Sequence, residues 1–198
     1  MLRQLIFLTF LLVFSTMGHA QDFEIYKGDT INLIDKSGQK QGKWIVFNSD
    51  QTRIIEEGRY KDNRKTGVWK KYYSNGNLQS KITYKKGEPD GPTEIYYKNG
   101  NLSEEGIWKG DRWVGEYKFY HKNGKPAYVW KYNENGKRSG KQKYYYADGS
   151  LKIEGKWTDG EKDGTLKEFY EDGNLKSKIV YNDGQIKEGT REKFDRNT

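Results

Sequence analysis

Along residues 67–84, GVWKKYYSNGNLQSKITY, apolar and polar positions alternate on both sides of an Asn-Gly pair. A period of two predicts strands, and Asn-Gly predicts a tight hairpin tip whose centre needs φ > 0. Folding the tip symmetrically about Asn75 and Gly76 sets Tyr73 opposite Leu78 and Trp69 opposite Ile82. Side chains alternate along a strand. Trp69, Tyr73, Leu78, Ile82 and Tyr84 therefore share an apolar face, and Val68, Lys70, Tyr72, Gln79, Lys81 and Thr83 share a mixed, charged one. The tyrosine doublet supplies one ring to each side of the sheet.

The pattern repeats. Gly42, Gly67, Gly91, Gly115, Gly140, Gly164 and Gly189 recur at spacings of 24 or 25 residues. Such a period marks an array in which each unit contacts its neighbours. Asn75-Gly76, Asn99-Gly100, Asn123-Gly124, Asp148-Gly149 and Asp172-Gly173 hold the tips, and the first unit has Asp50-Gln51 there. The column Gly58, Ile82, Gly106, Trp130, Gly155, Ile179 alternates small with large, so rings can lie across the glycines. A column five residues after the marker is aromatic in every unit: Phe47, Tyr72, Tyr96, Tyr120, Tyr145, Phe169 and Phe194. It faces the charged side. The fold class that follows is all-β, an elongated single-layer antiparallel meander of tandem hairpins. Fourteen or so strands would make a ribbon about 65 Å long.

Residues 1–20 differ in kind. Arg3, the apolar run 5–14 and the ending Gly18-His19-Ala20 read as a signal peptide cut after Ala20. Residues 21–41 are expected to form an N-terminal cap and partial repeat, and 42–198 the repeats, the last one truncated. Export predicts a periplasmic or extracellular protein, and the lack of cysteine excludes a lipoprotein by the usual route and any disulfide. Mean hydropathy is −1.12, which alone suggests disorder, but 15% aromatic residues argue for exposed β-structure instead. Loss of residues 1–20 lowers the formal charge from +8 to +7, a balance that favours anionic neighbours. Export makes nucleic acid the least expected of them.

Gly67, Trp69, Tyr72, Tyr73, Asn75, Gly76, Leu78, Tyr84 and Gly87 form a unit that resembles the variant form of the MORN repeat. The resemblance covers about residues 31–198 and is particularly similar to arrays found in many bacterial envelope proteins, often labelled antitoxin components. It implies a β-hairpin array with a non-enzymatic binding or scaffolding role. Thr93, His121 and Pro126 depart from the pattern at the Trp, second Tyr and Leu positions.

Chemistry is sparse. After residue 20 the chain has one histidine, His121, and no cysteine, so neither a metal nor another cofactor is expected. His121 reads as a packing or surface substitution in a tyrosine column, and Asp159–Asp163 as a turn rather than a calcium loop. The candidate binding face is the aromatic column Phe47, Tyr72, Tyr96, Tyr120, Tyr145 and Phe169, flanked by Lys70, Lys81, Lys118 and Lys143. These rings either stabilise the sheet across strands or form a ligand track, and burial decides between the two. The expected partner is an unidentified protein, or alternatively an anionic envelope glycan or membrane surface. The sequence leaves the oligomeric state open.

Overall fold

The computed structural model describes residues 21–196, and all their regular structure is β-strand. The signal-peptide reading of residues 1–20 lies outside the described residues. β1 (Asp22–Tyr26) and β2 (Asp29–Ile34) make a leading hairpin. Four longer hairpins follow: β3 (Lys40–Phe47) with β4 (Ile54–Lys61), β5 (Arg64–Tyr72) with β6 (Leu78–Lys85), β7 (Glu88–Tyr96) with β8 (Leu102–Lys109), and β9 (Arg112–Tyr120) with β10 (Pro126–Tyr132). β11 (Gly140–Tyr145) pairs with β12 (Leu151–Thr158). β13 (Glu161–Lys162) and β14 (Gly164–Phe169) run on from each other, and β14 pairs with β15 (Leu175–Asn182). The short β16 (Gln185–Ile186) and β17 (Glu192–Lys193) lie against β15. Neighbours in sequence are neighbours in the sheet, so the chain is one open antiparallel meander.

The hairpins have two different ends, and the tips differ from the symmetric turn expected. The Tyr73 N–H donates to the Asn77 carbonyl and the Gly76 N–H to the Tyr73 carbonyl. Ser74, Asn75 and Gly76 thus form a three-residue loop, with Gly76 alone left-handed at φ 87°. A residue is also bulged out next to the tip. Lys71 pairs with Ser80 and Tyr72 with Leu78. Leu78 therefore lies opposite Tyr72 rather than Tyr73, and moves to the charged face. Trp69 does pair with Ile82. The tight primed turns sit at the other end, where Asp62 and Asn63 have φ of 51° and 63°. Lys86-Gly87, Asp159-Gly160 and Asp183-Gly184 repeat that geometry. Short polar residues and glycine tolerate the left-handed region best, but Lys86 shows that the sheet's twist also imposes it.

A single layer has no second sheet to cover its apolar face, so the rings cover one another. On the Trp69 face, Tyr60 and Trp69 meet edge to face at 5.0 Å, and Trp108 and Trp113 at 4.4 Å. Phe119, Tyr128 and Trp130 stack with centroids 4.9 and 4.8 Å apart and planes within 15°. The glycine column makes room for these rings: a Cβ on Gly58 would lie 2.2 Å from the Trp69 ring, and one on Gly106 3.0 Å from Trp113. Trp69, Tyr117 and Trp157 are buried as a result.

The leading hairpin does not continue the array. β2 pairs with β3 only at Leu33↔Gln41 and Ile34↔Lys40. It then turns away at Asn32, whose φ is 54° and whose side-chain oxygen accepts from the Ile45 N–H. Ile31 and Ile45 are both buried, and Tyr26 meets Phe47 at 5.3 Å. β1–β2 therefore folds over the charged face at its first strand.

Candidate functional site

The strand registers place the candidate residues in two rows along the charged face. One row runs without a break from Ile45 through Glu57, Lys70, Lys81, Glu94, Glu105 and Lys118. It continues through Val129, Lys143, Glu154, Lys167 and Lys178 to Glu192. The signs follow a rule. Within the hairpins β5–β6, β7–β8 and β14–β15 the facing charges are alike; where two hairpins meet they are mostly opposite. Lys70 reaches Glu57 at 3.5 Å, Lys81 reaches Glu94 at 3.0 Å and Lys118 reaches Glu105 at 3.3 Å. Lys143 departs from the rule: Glu154 is taken by Lys141 at 2.9 Å.

The second row is the aromatic column, now interleaved with aliphatics. Phe47 faces Ile54, Tyr72 faces Leu78, Tyr96 faces Leu102, Tyr120 faces Pro126, Tyr145 faces Leu151 and Phe169 faces Leu175. All six rings are half-buried. Three hydroxyls donate to ladder carboxylates: Tyr72 to Glu57 at 2.7 Å, Tyr120 to Glu105 at 2.6 Å, and Tyr96 to Glu94. Burial, reinforced by the neighbouring carboxylate, pushes Tyr72 and Tyr96 up to about 12 and raises Tyr120 as well. Burial also raises Tyr145, against the opposing effect of Lys141. Glu94 is lowered, chiefly by the Tyr96 hydroxyl. Each ring–carboxylate–lysine group is a cross-strand support, and the rings leave only part of their surface to a ligand.

The other tyrosine of each doublet has a separate task that the alternation pattern does not reveal. The Tyr73 hydroxyl donates to the Tyr96 carbonyl at 2.7 Å, Tyr97 to Tyr120 at 2.6 Å, and Tyr146 to Phe169 at 2.8 Å. Pairing between hairpins stops at Ser80↔Ile95, short of the tips, so these carbonyls need another donor. The second tyrosine supplies it, stitching each unit to the next. His121 takes the same place, its Nε2 3.4 Å from the Tyr145 carbonyl. The only sequence signal is the return of a hydrogen-bonding ring at this offset.

A basic cluster at the primed-turn end also escaped the sequence reading. A cleft there is lined by Lys61, Arg64, Lys85 and Lys86, together with Lys65, Asp62, Gln39 and Thr66. Lys65 is tied to Glu56. The first four are exposed, and among the described residues none has a carboxylate within salt-bridge range. No group of three His, Cys, Asp or Glu side chains suited to a metal occurs among the described residues.

The MORN repeat variant matches five consecutive segments: 65–86, 89–109, 113–134, 138–159 and 162–183. The chain belongs to the MORN repeat variant family. A comparison with curated proteins gives no match. The hairpin β3–β4, upstream of the matched segments, keeps the same register as the MORN units, with Gly42 opposite Tyr60 as Gly67 is opposite Tyr84.

Proposed function

We propose that this MORN-repeat protein is an exported, non-enzymatic scaffold that binds a protein partner through its open sheet. The observation that carries this reading is where its reactive groups go. On the charged face, the tyrosine hydroxyls, carboxylates and most ladder lysines from β4 to β9 are spent on one another. What is left for another molecule is a repeated surface of part-exposed rings and lysine stems, which suits recognition rather than proton transfer. The finer reading is an immunity-like module meeting its partner in the cell envelope. It rests on the leader-like residues 1–20 and on the family resemblance.

The test is affinity capture from envelope extract by the protein purified from cells expressing the full sequence. A Lys70→Glu, Lys118→Glu, Lys143→Glu variant is the comparison. A protein enriched by the native chain and lost with the variant is expected. Equal recovery by both, or no enrichment, counts against the reading. N-terminal sequencing of the purified chain checks the leader, with Gln21 expected first.

The basic cluster favours a second reading, a binder of anionic envelope glycan or lipid. Four cations at adjacent turns, with no carboxylate in salt-bridge range among the described residues, create a local positive potential that salt screens. Cosedimentation with phosphatidylglycerol vesicles should fall steeply with added salt and with replacement of Lys61, Arg64, Lys85 and Lys86 by Ser. Binding that ignores both changes removes this reading.

A further inference from the structure

β17 has an open edge. It holds the place in its unit that β5 holds in another, since Gly189 repeats Gly67 and Phe194 repeats Tyr72. One side of it lies on β15: Lys178 faces Glu192, Ser177 faces Lys193, and the Phe194 N–H donates to the Lys176 carbonyl. In a complete unit the other side pairs with the unit's own second strand, as Lys71 pairs with Ser80. Among the described residues no such strand pairs with β17. The N–H and C=O groups of Lys193 and Asp195 point to that side, because they alternate with those of Phe194. An exposed strand edge is a template for another strand.

This edge is self-complementary. Residues 192–196 run Glu-Lys-Phe-Asp-Arg, and their charges reverse sign about Phe194. We propose that β17 pairs antiparallel with β17 of a second copy of this chain, about a two-fold axis through Phe194 and perpendicular to the sheet. Phe194 then faces Phe194 of the other copy. Lys193 faces Asp195 and Glu192 faces Arg196, each pair formed twice.

Every position agrees with that register. Phe194 is 38% exposed, and opposite itself it occupies a non-hydrogen-bonded pair, where side chains come closest. On the Trp69 face, neither Lys193 nor Asp195 has an opposite charge within salt-bridge range among the described residues. The dimer gives each a partner. On the charged face, Glu192 holds Lys178 through Oε1 at 3.3 Å, and Arg196 holds Asp172 through Nε at 3.1 Å. Those contacts leave Glu192 Oε2 and the Arg196 Nη groups for each other. The dimer thus joins Lys178, Glu192, Arg196 and Asp172 into a run of alternating sign. Neighbouring registers fail: an axis at Lys193 sets lysine on lysine, and one at Asp195 sets aspartate on aspartate.

An axis perpendicular to the sheet keeps each face on its own side. The two arrays become one ribbon that presents both charged faces together, so a ligand with two matching sites gains avidity. The contact is small, about four backbone hydrogen bonds flanked by facing side chains, so a weak, concentration-dependent dimer is expected.

Sedimentation equilibrium over about 1 µM to 1 mM covers the affinity range of such a contact. The native chain should pass from monomer to dimer. Lys193→Asp sets aspartate against aspartate twice and should weaken association about tenfold. Both side chains are exposed in the single chain, so the circular dichroism should not change. Adding Asp195→Lys reverses both pairs and should restore association to within about threefold of the native chain. The chain has no native cysteine, so Phe194→Cys should give a covalent dimer on mild oxidation, its Cα atoms lying about 4.5 Å apart across the axis. Ile186→Cys, equally exposed but outside the pairing, should stay monomeric under the same oxidation. A native monomer over the whole range, a double variant as weak as the single one, or equal cross-linking at positions 186 and 194 overturns the proposal.

Discussion

Gly58→Ala tests how a one-layer sheet stores its rings. Gly58 has an ordinary strand backbone, so the variant isolates collision from conformational strain. The new Cβ would lie 2.2 Å from Cδ2 and 2.3 Å from Cε2 of Trp69. Ordinary contact requires the ring to retreat by about 1.2 Å or more. Trp69 is 3% exposed and has little room to do so. Retreat breaks its Nε1–H bond to the Arg59 carbonyl at 3.1 Å and loosens its contacts with Tyr60 and Tyr84. Overpacking costs about 1–3 kcal/mol and the lost hydrogen bond about 1 kcal/mol. Replacing a strand glycine returns about 0.5–1 kcal/mol, leaving a net loss of about 1–3.5 kcal/mol. Gly76→Ala is the reference: its Cβ meets nothing within 4 Å, but φ is +87°, so about 1–2 kcal/mol is expected from backbone strain alone. Urea unfolding followed by far-UV circular dichroism and tryptophan fluorescence gives the midpoints. Amide exchange should show the loss concentrated in the units flanking β4 and β5, because an array transmits stability between neighbours. Adding Trp69→Leu should recover part of the Gly58→Ala cost. The reasoning fails if Gly58→Ala unfolds at the native midpoint, or if the two changes are simply additive.

Two further outcomes follow from the tyrosine doublets. Tyr97→Phe removes the hydroxyl that serves the Tyr120 carbonyl and keeps the ring, so a loss of about 1 kcal/mol is expected. Faster amide exchange should be confined to the β7–β10 tips, and unchanged protection there would refute the stitching role. Tyr72 and Tyr96 are pushed up to about 12, chiefly by burial. Their folded values lie above the unfolded one, so their contribution is complete below about pH 10 and is lost as pH rises through about 12. In a near-UV phenolate titration Tyr72→Phe should delete amplitude from the late part of the curve; a loss from the early part instead contradicts the burial argument.

Where sequence reading fell short, local physics had competing solutions. Asn75-Gly76 is compatible with both a two-residue and a three-residue hairpin loop, since each needs a left-handed glycine. Only the hydrogen bonds from Tyr73 and Gly76 choose between them, and that choice moves Leu78 to the other face. The aromatic column was legible because it recurs in every unit, but its role was not. A tyrosine at Tyr72 looks the same whether its hydroxyl meets solvent or Glu57, which comes from the preceding hairpin. The basic cluster was hidden for the same reason: Lys61 and Lys86 lie 25 positions apart and meet only because adjacent turns stack.

The sequence by itself determined the period, the antiparallel hairpins and which side of the sheet carries Trp69 or Tyr72. Those features need only alternation and glycine spacing, which act within one unit. The tertiary structure decided what lies between units: the charge ladder, the tyrosine stitches and the β1–β2 hairpin folded over Ile45. Such contacts depend on which strand becomes the neighbour and in what register. A shift of one residue there would turn every ladder charge to the opposite face, so no local pattern could stand in for the register itself.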